Sequence, residues 1–178
     1  MNRRQLMKTV VAGATAARGG KASPQARPVT KPADSWKPRF LDFHQNQTVV
    51  ALTGLIIPAT DTPGAKAALV NRFIDLMLAE GPAEAARAFV QGLAWLDGYA
   101  LRTHGAPFLR CTPRQQTALL SALDPATNAP SALRPGVQFF QDIKRRTVIG
   151  YYTSKTGFDE LNKGGRVPAT YGCTHEAH

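Results

Sequence analysis

From Gln45 to Ile57 the apolar positions Val49, Val50, Leu52, Leu55, Ile56 and Ile57 recur at helical spacing, and the same period returns along the chain. After a polar turn over Pro58 to Gly64, Ala68, Leu69, Phe73, Ile74, Leu76, Met77 and Leu78 predict a second amphipathic helix. Gly81-Pro82 ends it and lets a third begin. That helix runs from about Pro82 to Thr103 on Phe89, Val90, Leu93, Trp95, Leu96, Tyr99 and Leu101. Gly92 and Gly98 inside it cost roughly 1 kcal/mol each unless close packing requires them. Thr112-Pro113 pairs an N-cap with a first-turn proline for a helix through Leu123. Gly136 to Tyr152 is the last long one, followed by a half-turn from Phe158 to Leu161. Period-2 alternation and hairpin signals are missing apart from short ambiguous apolar runs. The prediction is an all-α bundle of about five main helices with an extended Pro-rich N-terminal arm and an irregular C-terminal tail.

The stretch Ile56-Ile57-Pro58-Ala59-Thr60-Asp61-Thr62-Pro63-Gly64-Ala65 punctuates this pattern most sharply. An apolar run stops at Pro58, and a new helix is expected near Gly64-Ala65. Thr60, Asp61 and Thr62 are helix-capping types, and Pro63 suits a first helical turn, where its missing N–H goes unnoticed. The plainest reading is a helix–turn–helix connector.

Charge changes the picture at the N-terminus. The chain has 178 residues and a net charge of +10. Arg3, Arg4, Lys8, Arg18 and Lys21 supply half of it with no acid among them. From Ser23 onward 17 basic residues face 12 acidic ones, a net of +5. With no long Lys/Arg run and no aromatic-basic motif, nucleic acid is a weak alternative partner. Arg3-Arg4 ahead of the small-apolar run Thr9 to Ala17 resembles a twin-arginine export signal, although the run is short and stops at Arg18. Nothing approaches the roughly 20 apolar residues that span a bilayer. The expectation is a periplasmic protein with a signal region at 1–22, a Pro-rich arm at 23–43 and a helical domain at 44–178. Trp36, Phe40, Leu41 and Phe43 are expected to dock the arm's end on the body.

Candidate chemistry is sparse. There is no Walker A sequence, no Gly-x-Gly-x-x-Gly and no Gly-x-Ser-x-Gly elbow. Asp75 with Glu80, and Asp159 with Glu160, read as solvated helix faces rather than acid/base pairs. His44 and His104 stand alone beside helix ends, with a capping or surface role as the default. Cys111 and Cys173 could pair with each other or with a partner chain in an oxidising compartment. Cys173-x-His175-x-x-His178 combines soft metal ligands without a fourth, on a terminal tail. Lys144-Arg145-Arg146 is by default a solvated basic face. Of Tyr151 and Tyr152, one packing in the core with the other on the surface is the plain alternative to a helix end pressed against a partner.

Together these pieces resemble the gluconate 2-dehydrogenase subunit 3 family. The resemblance is carried by the Arg3-Arg4 leader, the Ile56 to Ala65 stretch, Phe73-Ile74-Asp75, Gly150-Tyr151-Tyr152-Thr153-Ser154 and Tyr171-Gly172-Cys173. It covers about Gln45 to Cys173, and the Ile56 to Ala65 and Gly150 to Ser154 motifs are its specific parts.

The resemblance implies a small non-catalytic subunit with no catalytic residue, cofactor or metal of its own. Its expected partner is a large FAD-containing subunit of the glucose–methanol–choline oxidoreductase type that oxidises a sugar or sugar acid. A cytochrome c or other electron acceptor completes the complex, which is periplasmic or attached to the inner membrane through partners. The small subunit is expected to carry the twin-arginine signal for both chains. Thr60, Asp61, Thr62, Pro63, Gly64, Tyr151, Tyr152, Thr153 and Ser154 are the expected interface. The competing reading is a small periplasmic enzyme or metal-binding protein that uses the Cys173/His175/His178 tail.

Overall fold

A computed structural model describes residues 35–124 and 130–162. Arg3, Arg4, Cys173, His175 and His178 lie outside the described residues, as do the signal region and most of the arm. Among the described residues there is helix and no strand, and the bundle is all-α as expected.

The helices are α1 (Phe43–Ile56), α2 (Val70–Glu80), α3 (Ala83–His104), α4 (Pro113–Ala122), α5 (Arg134–Tyr152) and α6 (Lys155–Leu161). Short 3-10 turns, Phe108–Arg110 and Ser131–Leu133, precede α4 and α5. Two helices begin with reciprocal capping boxes. Asp42 accepts from the Gln45 N–H while the Gln45 side chain accepts from the Asp42 N–H, and Thr112 and Gln115 repeat the exchange at α4. Gly105, at φ +74°, closes α3 in the left-handed conformation that glycine adopts at little steric cost.

α1 packs against α2, α3 and α5, with Val49 and Leu52 fully buried beside Ile74, Leu96 and Ile143. Polar groups carried inside find partners, with Asn162 Oδ1 the exception among the described residues. The Asn71 amide donates to Asn46 Oδ1 at 2.9 Å across α1 and α2, and Thr147 donates to the Ile143 carbonyl at 2.7 Å. An unmade bond at such a depth costs about 1–3 kcal/mol.

α3 and α5 approach closely where glycines permit it. A side chain at Gly92 would strike the Phe139 ring, and one at Gly136 would strike Trp95. Gly92 is therefore required by packing. Gly98 meets only the tip of Arg102, so packing does not account for it.

The second helix starts later than its periodicity predicts. Residues 64–69 form a separate turn, closed by Leu69 N–H to the Lys66 carbonyl and Val70 N–H to the Ala65 carbonyl, both at 3.2 Å. That pair of bonds is a Schellman closure, and Leu69 occupies its left-handed position at φ 54°, where glycine is usual. The apolar residues Ala68 and Leu69 extended the helical pattern through a turn that backbone bonding had already ended. At the other end of the chain, the half-turn expected at Phe158 to Leu161 is a full short helix. Ser154 caps it, accepting from the Gly157 N–H at 3.1 Å.

Candidate functional site

The Ile56 to Ala65 stretch is an exposed turn held from behind. Pro58, Ala59, Thr60, Asp61 and Pro63 face solvent, whereas Gly64 and Ala65 are buried. Thr60, Asp61 and Thr62 do not cap a following helix, because none begins at Gly64. They bond within the turn instead: Thr60 Oγ1 donates to Asp61 Oδ1 at 2.8 Å, and the Thr60 N–H to the Thr62 carbonyl at 3.0 Å. The Ala65 N–H returns to the Ile57 carbonyl at 2.9 Å. Gly64 rests on the backbone of Ile57, Pro58 and Ala59, leaving no room for a Cβ.

Tyr151 fixes this turn to the bundle. It is 1 % exposed, and its hydroxyl reaches the Pro63 carbonyl oxygen at 2.5 Å and the Glu160 carboxylate. One side chain thus ties together the turn, the end of α5 and the short α6. Tyr152, edge-on to Tyr151 with ring centroids 5.1 Å apart, is 40 % exposed. The two tyrosines divide between core and surface. Thr153 and Ser154 turn inward on backbone, donating to the Ile149 and Tyr151 carbonyls at 2.7 and 2.6 Å.

The Glu160 carboxylate that accepts from Tyr151, together with burial and the Glu160 charge, pushes the phenol up to about 12. A tyrosine retained in its neutral form by folding contributes stability below its ordinary value of 10, lost as pH rises toward 12. Tyr151→Phe is expected to destabilise the chain by about 1–2 kcal/mol at neutral pH. It should also remove this alkaline component from unfolding curves recorded between pH 9 and 12; an unchanged alkaline limb would contradict the assignment.

Asp75 corrects the expectation of a solvated acid. It is 1 % exposed, and its carboxylate accepts three backbone N–H groups: Arg39 at 2.7 Å, Phe40 at 3.1 Å and Leu41 at 2.9 Å. This carboxylate, with Leu41 buried above it, docks the end of the arm. The aromatics do less than expected, since Phe43 is 79 % exposed. Trp36 stacks on the Arg72 guanidinium, 4.9 Å from the ring centroid.

The remaining candidates are mostly paired. His44 Nε2 lies 2.6 Å from Asp97 Oδ2, and Asp97 Oδ1 accepts from the Phe108 N–H at 2.9 Å, so His44 does not stand alone. Lys144 pairs with Asp124 at 3.3 Å, and Arg145 and Arg146 share the two oxygens of Asp142 at 2.9 and 2.7 Å. The basic run is therefore a set of ion pairs rather than a bare solvated face. Glu160 serves Tyr151, while Asp159 makes an exposed pair with Lys155 at 2.7 Å.

Cys111 is buried, with its thiol directed at the Ala106 carbonyl at 3.6 Å. Burial first, then the nearby Asp97 charge, pushes that thiol up and away from reactive thiolate. Its proposed pairing with Cys173 falls outside the described residues. Among the described residues no cluster of three or more His, Cys, Asp or Glu is placed to hold a metal ion. No helix there is long and apolar enough to cross a membrane.

An exposed turn locked from inside, with apolar side chains on the outer faces of α5 and α6, defines a helical module equipped for contact. The family model for gluconate 2-dehydrogenase subunit 3 matches residues 43–165, and the chain belongs to that family, the small subunits of a dehydrogenase complex. Comparison with curated proteins and with solved structures gives no match.

Proposed function

We propose that this chain is the non-catalytic small subunit of a periplasmic, FAD-dependent dehydrogenase of the glucose–methanol–choline type acting on a sugar or sugar acid. It carries the export signal for both chains and stabilises the catalytic subunit by a permanent interface. A cytochrome c or another acceptor takes the electrons. In this reading the flavin is bound by the partner chain.

The observation that carries this reading is the surface that follows the core of α5. Val148, Ile149 and Tyr152 on α5, then Phe158 and Leu161 on α6, are each between 40 and 53 % exposed. Val148 and Tyr152 stand one helical turn apart, away from the buried Ile143, Thr147 and Tyr151. Large apolar side chains left exposed at neighbouring positions of a helix support an interaction site. Obligate interfaces commonly exceed about 2,000 Å². The sequence motifs single out the Tyr152 end of α5 and the turn at 58–63, which Tyr151 braces from inside.

Export is tested by changing the leader. With Arg3→Lys and Arg4→Lys together, both this chain and the flavoprotein are expected to remain in the cytoplasm on fractionation. Normal delivery of the flavoprotein would refute the carrier role.

A further inference from the structure

Tyr151 has one hydroxyl proton and two acceptors for it. Its Oη lies 2.5 Å from the Pro63 carbonyl oxygen on the turn and also bonds the Glu160 carboxylate on α6. A phenol donates once, whereas a carbonyl and an ionised carboxylate can only accept. Whichever oxygen receives the proton, the other faces a phenol lone pair. The Thr62 side chain does not relieve this conflict. It bonds the phenol in the sense that favours phenolate, which makes it a donor to Oη. It fills a lone pair and supplies no proton to Pro63 or Glu160.

The carboxylate is the stronger acceptor, because a hydrogen bond to an ionised group is roughly twice as strong as one between neutral groups. Lys155, the basic residue of α6, is paired with Asp159 at 2.7 Å and leaves Glu160 to the phenol. α6 depends on such a tie. It has seven residues, too few to persist as an isolated helix, and it exposes Phe158 and Leu161. The Ser154 cap and the close seating of Gly157 on the Tyr151 backbone hold only its first turn. The 58–63 turn has bonds of its own, Ala65 N–H to the Ile57 carbonyl at 2.9 Å and Thr60 N–H to the Thr62 carbonyl at 3.0 Å. It therefore survives with the Pro63 bond unmade.

We infer that the Tyr151 hydroxyl is a two-position switch between the turn and α6: its proton on Glu160 secures α6, and its proton on Pro63 secures the turn. The two elements are thus coupled with opposite sign. In the free chain the proton rests on Glu160, and the turn lacks one bond that its geometry allows. Any group that takes up the Glu160 charge sends the proton to Pro63 and stiffens the turn. By linkage, a contact that tightens the turn loosens α6 to the same extent. The device is built from this chain's own groups and does not depend on the subunit reading.

Hydrogen exchange of the full-length chain, read at single amides, tests the switch. The Ala65 amide reports the turn, the Phe158 and Asn162 amides report α6, and the amide of the buried Ile143 is the reference for global unfolding. Glu160→Gln keeps the side chain's shape but offers an N–H to Oη, which frees the phenol proton for Pro63. Relative to Ile143, Ala65 exchange is expected to slow about fivefold, the worth of one net hydrogen bond. In Glu160→Ala the Ala65 amide is expected to slow as well, while Phe158 and Asn162 exchange faster. A plain brace would loosen both elements together. Adding Tyr151→Phe to either variant is expected to abolish the slowing at Ala65. Ala65 exchange that is unchanged or faster in Glu160→Gln would overturn the proposal, as would slowing that persists beside Tyr151→Phe. Phe158 and Asn162 amides as protected in Glu160→Ala as in wild type would also overturn it. Glu160→Gln decides the sign alone if Glu160→Ala fails to fold.

Discussion

Replacing Gly64 with alanine is expected to unfold the Ile57–Ala65 turn and to lower stability by about 2–4 kcal/mol. The Cβ would stand 2.5 Å from the Ala59 nitrogen, 2.6 Å from the Ile57 carbonyl oxygen and 2.6 Å from the Pro58 carbonyl carbon. These are backbone atoms, so no side chain can rotate to make space. Separating Gly64 from residues 57–59 would also break the Ala65 to Ile57 bond and draw Pro63 away from the Tyr151 hydroxyl. Denaturant unfolding of the isolated chain checks the magnitude. A loss below about 1 kcal/mol would show that the turn is softer than its contacts imply.

The second large effect is expected at Asp75. Asp75→Ala removes the acceptor of three backbone N–H groups at once, next to the buried Leu41. Each orphaned donor costs about 1–3 kcal/mol when water cannot reach it, and Phe40 and Arg39, being more exposed, recover part of theirs. A net destabilisation of about 3–5 kcal/mol is expected, with segment 36–42 leaving α2. Asp75→Asn retains an acceptor but turns an amide N–H₂ toward a backbone donor, and should cost about half as much. Hydrogen exchange at the amides of 39–41 provides the direct measurement. Protection in Asp75→Ala equal to wild type would disprove the anchoring role.

The helices were legible wherever the apolar period coincided with a clear stop. Gly81-Pro82, Thr112-Pro113 and the Tyr152 end of α5 lie within a residue or two of the observed boundaries. The delayed start of α2 was hidden because Ala68 and Leu69 continue the apolar pattern. Only the backbone, with leucine in a left-handed position, shows that the preceding turn closes first. The short α6 gave a weak signal: seven residues carry too few apolar positions to establish a period, although Ser154 was available as its cap.

For the site, the sequence located the stretches but not their connections. Tyr151 and Pro63 are 88 positions apart, and spacing along a chain does not reveal which tyrosine of a pair faces inward. Asp75 looked like one more surface acid because its partners are main-chain N–H groups 34 to 36 residues away, which have no residue-type signature. The close crossing of α3 and α5 was hidden for a related reason: Gly92 fits against Phe139 and Gly136 against Trp95, a complementarity that becomes visible only when two helices are placed side by side.

The central claim is that this chain works by holding a catalytic companion. Its most direct test is affinity capture of the full-length chain from the periplasm, followed by an absorption spectrum and a sugar and sugar-acid panel with an artificial electron acceptor. The account predicts a large polypeptide in fixed proportion to the small one, a flavin spectrum, and turnover that disappears when the two are separated. A small chain that elutes alone, or that oxidises a substrate without a companion, would contradict it.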